Sequence, residues 1–148
     1  MEQFEQIEIL LVEDNPLDAE LTMNGLKSGN VVNHITWVND GQQALDYLFR
    51  EGEYAGRDNV PPRLVLLDLK MPRVDGIEAL RQMKSDERTR RIPVVIMTSS
   101  EEESDVAKTY DLGVNSYVVK PMDFHALAEV MRQAGFYWLA INRTLPKS

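Results

Sequence analysis

Five short apolar runs, each followed by a segment with helical spacing, constrain this chain more than any other feature. The runs cover about 7–12, 35–38, 64–68, 92–98 and 116–119. Strands that alternate with amphipathic helices are the pattern of βαβ units, which need a parallel sheet with both faces covered. The predicted helices follow in order. One opens at Pro16, where proline is tolerated in a first turn, with Leu17 and Leu21 sharing a face. A second, about 42–49, pairs Ala44 with Leu48 and Leu45 with Phe49. A third follows the turn 71–76 and reaches about 84. A fourth is capped by Ser100 with Glu103 three residues on and stops near Gly113. A fifth carries Phe124, Leu127, Met131, Ala134 and Trp138. The stretch 50–62, with Gly52, Gly56, Pro61 and Pro62, is expected to be a long loop. Right-handed crossovers leave few arrangements. The fold expected is α/β, a flavodoxin-like (βα)5 doubly wound parallel sheet of order 2-1-3-4-5.

Bulk properties narrow the function. The 148 residues fit one domain, with a core of about 7–134 and a C-terminal extension of about 135–148. A net charge of −8 argues against nucleic acid, whose phosphates are bound by clustered Lys and Arg. No cysteine is present, so thiolate metal sites and disulfides are excluded. His34 and His125 are far apart and lack metal-ligand spacing. No apolar stretch approaches the ~20 residues that span a bilayer. The N-terminus lacks the basic and apolar regions of a signal peptide. No membrane partner and a cytoplasmic location are therefore expected.

Chemistry concentrates where the strands end. Asp68 follows Leu64-Val65-Leu66-Leu67, and a carboxylate there is costly unless solvated, paired or bound to a metal. Glu13 and Asp14 follow the first run, Thr98 ends the fourth, and Lys120 follows the fifth. A parallel sheet turns all of these ends toward one crevice. Taken singly, each acid would be a solvated loop residue or a helix cap. Taken together, they suit a divalent cation and a phosphoryl group on Asp68. Mg²⁺ (or Mn²⁺) takes oxygen ligands and keeps several waters. Asp14 and Asp68 are the direct ligands expected, with the Lys70 backbone carbonyl third and Glu13 holding a metal-bound water. Asp68 would attack as a carboxylate nucleophile. Lys120 would place a point charge on a phosphoryl oxygen opposite the metal. Thr98 would bond the phosphoryl group only when it is present, a difference able to bias a two-state element.

These residues resemble the receiver domain of two-component response regulators. Glu13-Asp14, Asp68 with Met71-Pro72 and Asp75-Gly76, Thr98, and Tyr117 through Lys120-Pro121 carry the likeness over nearly the whole chain. The resemblance implies that a partner histidine kinase phosphorylates Asp68 with Mg²⁺, and that Thr98 and Tyr117 shift together as a switch. Lys70 departs from the commonest pattern, as does the length of the loop 50–62. That loop, Phe136-Tyr137-Trp138-Leu139 and the ending Thr144-Leu145-Pro146 look like the stand-alone regulators that pair with bacterial and cyanobacterial phytochromes. The extension is too short for a DNA-binding domain, so output is expected through the receiver's own surface. Phe136, Tyr137, Trp138 and Leu139 are apolar on nearly every side of a helix and are expected to form a homodimer surface.

Three other readings stand beside this one. A haloacid-dehalogenase-type phosphatase needs a second aspartate two residues past the nucleophile, where this chain has Lys70. A receiver-like module that only binds proteins would not need the full phosphorylation set. A flavodoxin-type flavin site would need a Ser/Thr/Gly phosphate loop where Glu13-Asp14-Asn15-Pro16 stands.

Overall fold

The computed structural model describes residues 8–28, 34–57, 61–69, 75–98, 110–114, 116–119 and 129. Five parallel strands form one sheet: β1 (Glu8–Val12), β2 (His34–Val38), β3 (Leu64–Leu67), β4 (Val94–Thr98) and β5 (Ser116–Val119), in the order β2-β1-β3-β4-β5. Between them run α1 (Pro16–Ser28), α2 (Gly41–Phe49) and α3 (Gly76–Ser85). The expected strand order and class are both present. Of the predicted fourth helix, Tyr110 and Asp111 are helical, and Gly113 ends it in the left-handed region at φ 93°. Its capping pair Ser100 and Glu103, and all of the fifth helix except Glu129, lie outside the described residues.

Side chains alternate across the pleat and make two cores. Leu10, Val12, Val65, Leu67 and Ile96 face α2 and α3, against Ala44, Leu48, Leu80 and Met83. Ile9, Leu11, Leu64, Leu66, Val95 and Met97 face α1, against Ala19 and Leu26. Strands buried on both faces read as unbroken apolar runs, which is why β1, β3 and β4 were legible in the sequence.

Two boundaries differ from expectation for local reasons. β4 begins at Val94 rather than 92, because Ile92 is engaged in a turn to Thr89 and Pro93 has no N–H to give the ladder. The Lys84 ammonium donates to the carbonyls of Arg90 and Ile92, both at 3.1 Å, and pins this turn to the end of α3. The first part of 50–62 is not open loop either. Arg50 closes α2 in the left-handed region, and a 3-10 turn follows at Gly52–Tyr54. Tyr54 meets Tyr47 edge to face at 5.1 Å between centroids, and the Arg57 guanidinium lies 4.1 Å over the Tyr47 ring. Arg57 Nε also donates to the Tyr47 carbonyl at 2.9 Å. Aromatic and cation–π contacts thus fold the segment back onto α2.

Among the described residues, no helix is long and apolar enough to cross a membrane.

Truncating the fully buried Leu66 to Ala should cost about 2–5 kcal/mol, read as a lower urea midpoint with unchanged slope. At the surface, a fork of bonds from Arg88 holds the Asp86 carboxyl down at about 2. A depressed carboxylate stabilises the fold above its ordinary value near 3.8, and loses that contribution as pH falls through about 2. NMR titration of Asp86 should show that low midpoint, and Arg88→Gln should return it toward the ordinary value.

Candidate functional site

The site is built where β1 and β3 run out side by side. Past the end of β1, Glu13 N–H donates to the Val38 carbonyl at 3.1 Å; past the end of β3, Asp68 N–H donates to the Val12 carbonyl at 3.1 Å. The ladder therefore carries both acids one residue beyond their strands and leaves them adjacent. Asn15 then turns the chain into α1. Its side-chain oxygen accepts from the N–H groups of Leu17 (3.0 Å) and Asp18 (3.1 Å), an N-cap, with Pro16 in the first turn. Asn15 N–H donates to Glu13 Oε2 at 3.2 Å, tying the cap to the first acid.

On the other side, Asp75 caps α3 by accepting from Glu78 N–H at 2.9 Å, and Gly76 N–H bonds the Leu69 carbonyl at 2.9 Å. Gly76 is a close-approach glycine. A Cβ there would fall on the Asp68 carbonyl oxygen and lie 2.6 Å from Leu69 Cα. The start of α3 is thus pressed directly on the backbone that presents Asp68.

Carboxylate oxygens of Glu13, Asp14 and Asp68 all lie within 4.8 Å of one another. Glu13 and Asp68 are buried, whereas Asp14 is exposed, so the cluster opens to solvent on one side. Like charges so close repel by about 3–4 kcal/mol per pair at an effective dielectric near 20. A divalent cation relieves that repulsion. An all-oxygen, hard donor set with room for water fits Mg²⁺ or Mn²⁺ and not a thiophilic ion.

The structure brings together Glu13, Asp14 and Asp68 from the residues singled out in the sequence. Thr98 is the last residue of β4, paired with Val119, and Tyr117 pairs with Ile96; their side chains lie outside what is described. Lys70, Lys120, Phe136, Tyr137, Trp138 and Leu139 also lie outside the described residues. Two contributions go beyond the sequence reading. Gly76, which with Asp75 carries part of the likeness, proves to be a close-approach position against Asp68. Trp37, within the run 35–38, donates its indole N–H to the Glu13 carbonyl at 2.7 Å. A tryptophan on a short edge strand was the available signal, since its N–H needs a partner.

Comparison with known proteins places this geometry. Residues 9–132 match the family profile of the response regulator receiver domain. The probable methanogenesis regulatory protein FilR2 of Methanothrix harundinacea is 46% identical over 92% of this chain and 86% of its own length. The phosphorylated cyanobacterial phytochrome response regulator RcpA superposes with a TM-score of 0.88 at 38% identity, over 97% of this chain and 100% of that one. The Mn²⁺-bound form of response regulator Rcp1, from Synechocystis sp., superposes with a TM-score of 0.86 at 37% identity, over 95% and 99%.

Gly76→Ala should push α3 off the Asp68 backbone and destabilise the fold by about 1–3 kcal/mol. Urea denaturation reads the loss, and amide shifts of Asp68 and Leu69 should be among the most displaced in the variant.

Proposed function

The chain belongs to the response regulator receiver family, and from that premise we propose that Asp68 accepts a phosphoryl group from a partner histidine kinase. The convergence of three carboxylates at the exits of β1 and β3 is the observation that carries this reading. Asp14, Asp68 and the Lys70 carbonyl would hold Mg²⁺ directly, with Glu13 acting through a water. Bound there, the ion supplies charge neutralisation for the phosphoryl oxygens.

The rest is the work of the chain. The Asp68 backbone is fixed by its N–H bond to the Val12 carbonyl, and its carboxylate lies within 4.8 Å of those of Glu13 and Asp14. One carboxylate oxygen attacks phosphorus as the N–P bond of the kinase phosphohistidine, protonated on its other ring nitrogen, breaks, leaving an acyl phosphate on Asp68 and a neutral imidazole on the kinase. Lys120 pairs with a phosphoryl oxygen, and the Thr98 hydroxyl donates to another. Thr98 and Tyr117 then shift together, because only the phosphorylated state offers Thr98 that bond. Water later hydrolyses the acyl phosphate. Apart from this self-phosphorylation and autodephosphorylation the domain turns over no substrate; it is a signalling protein.

A phytochrome-type kinase is the partner we favour, since the chain spans nearly the whole length of RcpA and Rcp1. We place the protein in the cytoplasm as one receiver domain, paired as a C2 homodimer through Phe136, Tyr137, Trp138 and Leu139, and signalling through its own surface. The phosphatase alternative is not favoured, because Lys70 stands where its acid/base aspartate would be.

Incubation with a small acyl phosphate and Mg²⁺, followed by intact mass measurement, should show one added phosphoryl group. Asp68→Asn or chelation of the metal should abolish it, and steady turnover of phosphate esters would overturn the assignment. For the dimer, converting Trp138 and Leu139 to Gln together should bring the solution mass down to that of a monomer. An unchanged dimer would remove those residues from the interface.

A further inference from the structure

Trp37 sits on the edge strand β2, in register with Leu11 of β1, and is about one-third exposed (36%). It belongs to neither apolar core, so filling space is not what holds it in place. Its indole N–H instead reaches the Glu13 carbonyl oxygen at 2.7 Å, at the short end of the range for such bonds. Glu13 is consequently held at three atoms. Its N–H donates to Val38 at 3.1 Å, its carbonyl accepts from Trp37, and its carboxylate accepts from Asn15 N–H at 3.2 Å.

The middle contact matters most for the neighbouring residue. The peptide joining Glu13 to Asp14 is planar, so fixing its carbonyl oxygen fixes the direction in which the Asp14 backbone leaves. Asp14 is the exposed member of the cluster, whereas Glu13 and Asp68 are buried. A rotation of that peptide would carry its carboxylate away from Asp68. We propose that Trp37 is a positioning residue for divalent-cation binding, acting through the Glu13 carbonyl to aim Asp14 at the shared ion. The role rests on the cation reading of the carboxylate cluster given above.

Groups that orient metal ligands without touching the metal typically contribute 10–100-fold in affinity. A contact made through one backbone carbonyl belongs at the lower end, about tenfold. The experiment is calorimetric titration of the full chain with Mn²⁺, comparing wild type, Trp37→Phe and a variant carrying the benzothiophene isostere of tryptophan at position 37. The isostere keeps the ring shape and loses the N–H. Both variants should bind about tenfold more weakly, and in a parallel titration with diamagnetic Mg²⁺ the Trp37 indole N–H resonance of the wild type should move.

Wild-type affinity in the isostere overturns the proposal, even where its urea midpoint falls, because that pattern marks a purely structural residue. If Trp37→Phe fails to fold, the isostere decides alone. Wild-type protein that takes up no Mn²⁺ overturns the cluster reading itself, and the positioning role with it. An isostere matching a wild type that does bind overturns only Trp37.

Discussion

The parallel pairing of β1 with β3 is the constraint on which the remainder of the molecule depends. Val12 stands beside Leu67, and the ladder continues through the Asp68 N–H to the Val12 carbonyl. A slip of one residue would turn every side chain of β3 to the other face, exchanging the layer against α1 for the layer against α2 and α3. It would also swing Asp68 away from Glu13. The two apolar cores therefore protect a register whose chemical consequence appears only one residue past the end of the strands.

That arrangement sets stability against function at a single point. Two buried acids and one exposed acid within 4.8 Å are a poor way to stabilise a fold. They persist because well-packed layers on either side hold the strand exits still. Local contacts add the finer control. Asn15 joins helix capping to the first acid, Gly76 lets α3 lie against the backbone of Asp68, and Trp37 reaches from the sheet edge to the Glu13 carbonyl. Receiver chemistry needs a carboxylate that is both nucleophilic and immobile. Here the backbone of Asp68 is fixed by its N–H bond to the Val12 carbonyl and by the start of α3 pressed against it.

Much of this was readable before any coordinates, and particular residues explain why. Unbroken apolar runs at β1, β3 and β4 mark strands buried on both faces, and each carries its polar residue at the exit. The edge strand β2 and the segment after α2 were harder. His34 and Arg50 take conformations decided by neighbours, the first by pairing with Glu8 and the second by closing α2 onto the carbonyls of Asp46 and Tyr47. The back-folding of Tyr54 and Arg57 onto Tyr47 depends on rings that composition alone would place in an open loop.

What the sequence determined by itself was the class of fold, the strand order consistent with it, and the kind of group standing at each strand exit. Those follow from periodicity and from the rule that neighbouring elements connect simply, both of which are local properties. Tertiary structure alone decided how near the acids come, which of them is buried, and which residues hold them in place. Gly76 and Trp37 act across gaps of 8 and 24 residues, on Asp68 and Glu13 respectively, and contacts between segments so separated exist only after the chain has closed on itself.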